Sequence, residues 1–142
     1  MSQIFSPNPA GTPIIPFSGP GGNFLSAIAA GTFVTTSTTF QTLASIAVPA
    51  LNGSFRVGAC VGLTIPNANT DAEVRLYDAT AAVALDTWRI ATLRATVLVP
   101  VTWFRDGIVM AGAAKLLQLQ YRRASGPDGV QATDPRLEFW RQ

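Results

Sequence analysis

Oxygen-bearing side chains recur at alternate positions in Asn67-x-Asn69-x-Asp71-x-Glu73, a spacing that echoes the start of a calcium-binding loop. The echo is incomplete. Asn67 stands where the first aspartate belongs, Ala72 stands where glycine is needed, and no helical period flanks the segment. A polar loop leading into a strand accounts for it, and no metal is expected there. Two carboxylate pairs, Asp71 with Glu73 and Asp128 with Asp134, are of the type that cleaves glycosidic bonds when held about 5 to 9.5 Å apart. Eight acidic side chains beside ten basic ones read more simply as surface charge. Trp88, Trp103 and Trp140 could stack on sugar rings. Large aromatics more often bury their area, so core or subunit-interface packing is the first reading and a glycan platform the second. Cys60, the single cysteine, lies in a strand-like stretch and reads as a small buried hydrophobe rather than a reactive thiol. The chain has no histidine, so Ser-His-Asp and Cys-His nucleophiles and imidazole metal sites are excluded. No catalytic residue and no cofactor are expected.

The elements that must position these residues are β-strands. Hydrophobic residues make up 48% of the 142 and charged residues only 13%, which argues for a real core and against ordinary disorder. Phe55, Val57, Ala59, Val61 and Leu63 alternate with Arg56, Gly58, Cys60, Gly62 and Thr64, predicting a half-buried strand with very small residues on its second face. Similar alternation runs through Ala72–Tyr77 and Lys115–Arg123, and Arg136–Arg141 closes the chain. Asp78–Ala81 reads as a turn into a hairpin partner over Ala82–Trp88. Thr92–Phe104 is a further strand in which Pro100 marks an edge or bulge, and Asp106-Gly107 and Ser125–Gly129 are turn signals. Seven to nine short strands follow Thr32. That is the signature of an all-β fold, a jelly-roll-like antiparallel β-sandwich over residues 32–142. Phe24–Ala30 is expected as at most one short helix ending at Gly31.

The first 31 residues differ in kind. No charged residue precedes Arg56, and five of the ten prolines fall within the first 22 residues. Prolines Pro7, Pro9, Pro13, Pro16 and Pro20 forbid a regular helix or central strand, and Gly19-Pro20-Gly21-Gly22 reads as a flexible joint. Yet Ile4, Phe5, Ile14, Ile15, Phe17, Phe24 and Leu25 are strongly apolar. Such an arm needs a surface: its own domain, a sister subunit or a foreign partner, with intermolecular docking favoured. A net charge of +2 with one basic doublet, Arg122-Arg123, does not describe a nucleic-acid binder. The apolar run Phe24–Val34 is broken by Ser26, Gly31 and Thr32 and falls short of a membrane span. The start lacks the basic region of a signal peptide, so no secretion is expected, and the sequon Asn52-Gly53-Ser54 is read as chance.

Three passages carry a resemblance: Ala72-Glu73-Val74-Arg75-Leu76-Tyr77-Asp78, Leu117-Gln118-Leu119-Gln120-Tyr121-Arg122-Arg123 and the terminal Arg136-Leu137-Glu138-Phe139-Trp140-Arg141. Over about residues 40–142, with the arm in kind, the chain resembles small bacteriophage virion proteins. These pair an N-terminal docking arm with a jelly roll, as capsid decoration (cement) proteins, head fibres and tail-fibre tips do. The last two strands are similar to those of trimeric tumour-necrosis-factor-like jelly rolls. The resemblance implies a homotrimer that partners a major capsid protein or another virion protein and is made in the host cytoplasm. A tail-fibre or carbohydrate-binding sandwich is the alternative, and an enzyme the remote one.

Overall fold

The computed structural model describes residues 25–65, 70–90 and 97–142. Within them the chain forms β1 (Leu25–Ile28), β2 (Thr32–Thr35), β3 (Gln41–Val48), β4 (Asn52–Thr64), β5 (Asp71–Asp78), β6 (Val83–Ile90), β7 (Val99–Ala111), β8 (Lys115–Ser125) and β9 (Val130–Arg141). Every pairing is antiparallel. One sheet, sheet A, has the order β1-β9-β4-β7, with β2 also on β9; the other, sheet B, has the order β3-β8-β5-β6. β1 and β2 lie end to end on the same strand, β1 against Arg136–Phe139 and β2 against Val130–Thr133. Taken as one broken strand, they bring the count to eight. The chain then switches sheet at every connection except β5 to β6, which is the jelly-roll arrangement.

The break is held by a reciprocal contact. The Gly31 amide donates to Asp134 Oδ1 at 2.8 Å, and the Asp134 amide donates to the Gly31 carbonyl at 2.9 Å. Asp134 adopts φ 47°, a left-handed conformation that aspartate tolerates better than most residues.

Two local expectations are corrected. The described part of the run predicted as a short helix is β1. Leu25 and Ala27 pack toward the core while Ser26 and Ile28 face outward. Two isolated helical turns are marginal, and the otherwise unpaired edge of β9 offers hydrogen bonds and burial together. Asp106-Gly107 is not a turn but lies inside β7, where the register against β4 shifts between Phe55 and Val57. Gly107 takes φ 71°, so the property that makes this dipeptide a turn signal here serves a bulge. Pro100 does lie on an edge strand, β7.

The core fills from alternate positions. Phe55, Val57, Ala59, Val61 and Leu63 of β4, with Leu137 and Phe139 of β9, face Val74 and Leu76 of β5 and Leu117, Leu119 and Tyr121 of β8, all buried. β6 and β7 are the edges on one side of the sandwich, and side chains staple them. The rings of Trp88 and Trp103 meet with centroids 4.1 Å apart, and Arg105 Nη1 donates to Asp86 Oδ1 at 3.2 Å.

Candidate functional site

The two outer faces of the sandwich have opposite chemistry. On sheet B, the outward positions of β5, Asp71, Glu73, Arg75 and Tyr77, lie beside Arg89 of β6 and Gln120 and Arg122 of β8. Arg89 Nη2 donates to Asp71 Oδ2 at 2.7 Å, and Arg122 Nε donates to Glu73 Oε2 at 2.7 Å. Arg75 Nε donates to Gln120 Oε1 at 2.7 Å. The Phe40 ring packs on two guanidiniums, with Arg75 Cζ 3.9 Å and Arg122 Cζ 4.5 Å from its centroid. Burial under this ring pulls the Arg75 guanidinium below its ordinary value, and the nearby Tyr77 opposes the shift. The face is polar and internally satisfied.

Sheet A is the apolar face. Of the eight large hydrophobic side chains exposed among the described residues, Ile28, Val34, Phe104 and Val109 lie at outward positions of its strands and Leu98 covers Gly62 beside them, whereas Phe33 pairs with core-facing Ala132. Register places Ile28, Val34, Phe104 and Val109 opposite the outward residues Arg136, Gln131, Gly58 and Ser54. This leaves a trough over the central strand β4. Its pocket, about 160 Å³, is lined by Gly58, Ala59, Cys60, Thr102, Phe104, Arg136 and Glu138. Phe104 stands edge-on to Trp140, with centroids 6.0 Å apart at 76°. A Cβ on Gly58 would lie 3.0 Å from both rings, so glycine is what lets the aromatic wall close over the floor. Leu98 covers Gly62 in the same way. The charges here neutralise each other: Arg136 pairs with Glu138, and Arg56 with Asp106. The Arg56 hydrogen bond holds the Asp106 carboxyl below its ordinary value against a smaller opposing effect of burial.

The structure sorts the predicted residues. Trp88 and Trp103 come together inside the mouth between β6 and β7, where they pack against the core rather than form an outer platform. Trp140 joins Phe104 on the trough instead. Cys60 is half-buried on the trough floor. Asp71 and Glu73 are both engaged by arginines, and Asp134 is engaged with Gly31. Asp128 bonds through its amide to Thr70 Oγ1 at 3.3 Å. Among the described residues no group of three or more acidic or cysteine side chains is placed to hold a metal, and Asn67 and Asn69 lie outside them. Ile4, Phe5, Ile14, Ile15, Phe17 and Phe24 also lie outside; Leu25 lies in β1 and packs on the core. No described helix is long and apolar enough to cross a membrane. Sequence reading missed Thr102, Phe104, Arg136 and Glu138. Its one usable signal was the small-residue face of β4, which implies bulky neighbours on the flanking strands.

The Trp pair carries a prediction. Among the described residues, Trp103 Nε1 is buried and finds no hydrogen-bond partner. Trp103→Phe removes that donor and keeps a ring against Trp88, so relief of the orphan donor offsets lost area, and stability changes by less than about 1 kcal/mol. Thermal unfolding of the variant checks this, and a loss of several degrees would show that the indole itself is needed.

No family model and no curated protein matches the chain. Among solved structures, that of the infectious bursal disease virus Gx strain is similar with a TM-score of 0.60 at 15% identity, over 84% of this chain and 32% of that one. The T=1 particles derived from infectious bursal virus are similar with a TM-score of 0.52 at 15% identity, over 84% and 32%. A xylan-binding domain from Paenibacillus barcinonensis follows with a TM-score of 0.41 at 14% identity, over 88% and 99%, too low to carry weight. The chain thus spans about a third of the virus proteins it resembles. At these identities the shared feature is the fold alone, an antiparallel β-sandwich.

Proposed function

We propose that this chain is a virion structural protein, of bacteriophage type, that decorates and stabilises a capsid and is made in the host cytoplasm. The observation that carries the reading is the apolar outer face of sheet A, with an uncharged, apolar-studded arm entering at its edge. A face of this kind on a 15.0 kDa chain asks for cover, which an assembly supplies. Residues 1–31 serve as the docking arm, rooted in sheet A by β1, and residues 32–142 serve as the body. The arm contacts a major capsid protein or another virion protein, and the bodies associate as a trimer. Stabilisation is mass action: a ligand that binds only the assembled shell favours that shell. The sandwich likeness to virus particles supports this reading. No catalytic role is assigned.

The test is absolute mass by light scattering on the full chain at micromolar concentration. Three chains of 15.0 kDa give about 45 kDa. A stable monomer would remove the trimer from the proposal. A second reading, a carbohydrate-binding module, has Phe104 and Trp140 beside Thr102 and Glu138 in its favour. A glycan array with no signal on the full chain eliminates it.

A further inference from the structure

We propose that the outer face of sheet B binds a carboxylate-bearing saccharide, an oligomer of uronic-acid type, with Arg75 as the residue that takes the carboxylate. The inference goes beyond the proposed function and uses the opposite face. With sheet A turned to the assembly, sheet B is the face left to solvent.

Charge is the first reason. The hydrogen bonds of this face close on one another, but its charge does not. Asp71 pairs with Arg89, and Glu73 pairs with Arg122. Arg75, in the middle of the same strand as the two acids, pairs with no carboxylate among the described residues. Its Nε donates to the neutral Gln120, and among the described residues its two Nη groups take no hydrogen-bond partner. The guanidinium is nonetheless fixed in place. Its Cζ lies 3.9 Å from the Phe40 centroid and 4.2 Å from that of Tyr77. A second cation, Arg122, packs on the same Phe40 ring. Arg75 is thus a half-buried, preorganised fork without an anion. Burial and the Arg122 charge both disfavour its ionised form, and a carboxylate held by the fork offsets them.

Register is the second. Thr42 pairs with Gln120, Gln120 with Arg75 and Arg75 with Thr87, so one row crosses all four strands of sheet B. At about 4.8 Å per strand the row is roughly 14 Å long, the reach of a short oligosaccharide rather than of a single ion. Gln118 and Tyr77 pair in the next row, and Gln120 Nε2 donates to Gln118 Oε1 at 2.8 Å, which holds the amides in place. Apart from Arg75 these groups are hydroxyls, amides and a phenol, which donate and accept as sugar hydroxyls do. Two other anionic polymers fit less well. A nucleic acid, with a charge about every 1.7 Å, meets Glu73, which stands two residues from Arg75, roughly 7 Å along the strand and inside a Debye length. A saccharide with one charge per ring, lying along the neutral row, escapes that repulsion. An acidic peptide gains most by pairing with a free strand edge, whereas β8 and β6 already take both edges of β5.

The experiment titrates the full chain, labelled for nuclear magnetic resonance, with trigalacturonate and with the neutral trisaccharide of galactose, at about 50 mM salt. The acid is expected to bind with a Kd of about 1 mM, with shifts centred on Thr42, Arg75, Thr87 and Gln120. The neutral sugar should bind roughly tenfold more weakly, and Arg75→Met should weaken the acid by a similar factor. Methionine keeps a long apolar stem against Phe40 and Tyr77, and thermal unfolding confirms that the variant folds. Arg75→Lys keeps the charge and gives up the fork, so it should bind the acid several-fold more weakly than the native chain, and it carries the test if Arg75→Met is unfolded. Trp140→Ala, on sheet A, should bind the acid as the native chain does. Absence of binding at about 10 mM acid overturns the site, as does equal binding of the neutral sugar or native affinity in both Arg75 variants. Tripolyphosphate binding as tightly as the uronate shows a site for charge alone and overturns the saccharide. Light scattering keeps this separate from the proposed function. A trimer that ignores the acid loses this inference alone, and a monomer that binds it through Arg75 loses the trimer alone.

Discussion

A Phe139→Ala chain is expected to unfold roughly 10 to 15 °C below the native chain, a loss of about 3 to 5 kcal/mol. Phe139 of β9 and Phe55 of β4 stack with centroids 4.8 Å apart at 15°, and both are fully buried. They sit where β1, β9, β4 and β7 meet: Leu25 pairs with Phe139, and Phe55 pairs with both Ile108 and Arg141. Truncating one ring removes its transfer free energy and leaves a cavity against a partner anchored in the neighbouring strand, so the site collapses poorly. Phe139→Leu fills most of the space and should recover more than half of the loss. A double-mutant cycle with Phe55→Ala should be non-additive by about 0.5 to 1.5 kcal/mol, since either truncation removes the same ring contact. Thermal or urea unfolding of the four chains measures it. A shift under about 3 °C for Phe139→Ala would mean that this end of the sandwich is not cooperative with the rest.

Much of the fold could be read from period-two alternation, because each sheet buries one face and exposes the other. β4, β5, β8 and the end of β9 show this plainly in Phe55–Leu63, Ala72–Leu76, Leu117–Tyr121 and Leu137–Phe139. What alternation does not carry is pairing, so β1 could not be told from a helix until the edge of β9 was in view. Nor does it tell a turn from a bulge, because Asp106-Gly107 meets the backbone needs of either. The site was half visible for the same reason. Gly58, Cys60 and Gly62 announce a shallow central strand. Their walls, Phe104 and Trp140, come from strands separated from β4 by tens of residues, and only register brings them opposite. The tryptophans divide on similar grounds. Register puts Trp88 opposite core-facing Val74 and Trp140 opposite outward Arg56, which spacing along the chain does not encode.

Asp78→Ala should cost about 3 kcal/mol at neutral pH, and Asp78→Asn should expose the part of that cost that depends on charge. The Asp78 side chain is 5% exposed and sits where β5 turns toward β6. Its Oδ2 accepts from Lys115 Nζ at 2.8 Å, and its Oδ1 accepts from the amides of Thr80 and Ala81 at 3.0 and 3.1 Å. Alanine leaves a half-buried ammonium and two turn amides without their acceptor. Asparagine keeps an oxygen for the amides but gives up the ion pair. Burial pushes the Asp78 carboxyl up, but the Lys115 hydrogen bond and charge, with the Ala81 and Thr80 amides, outweigh it, so the group titrates below its ordinary 3.8. A depressed carboxyl binds fewer protons folded than unfolded. Its stabilisation is therefore present above the ordinary value and is lost as pH falls through the lower, folded one. The native chain should accordingly lose its advantage over Asp78→Asn between about pH 4 and the acid limit of the fold. Asp106 titrates low as well, but its pair with Arg56 is intact in both chains, so it cancels in the comparison. Urea midpoints for both chains at pH 7 and pH 3 decide the matter. A gap that narrows at low pH places the ion pair with Lys115 among the supports of the β5–β6 turn, and a gap of unchanged size would assign the whole effect to the turn's hydrogen bonds.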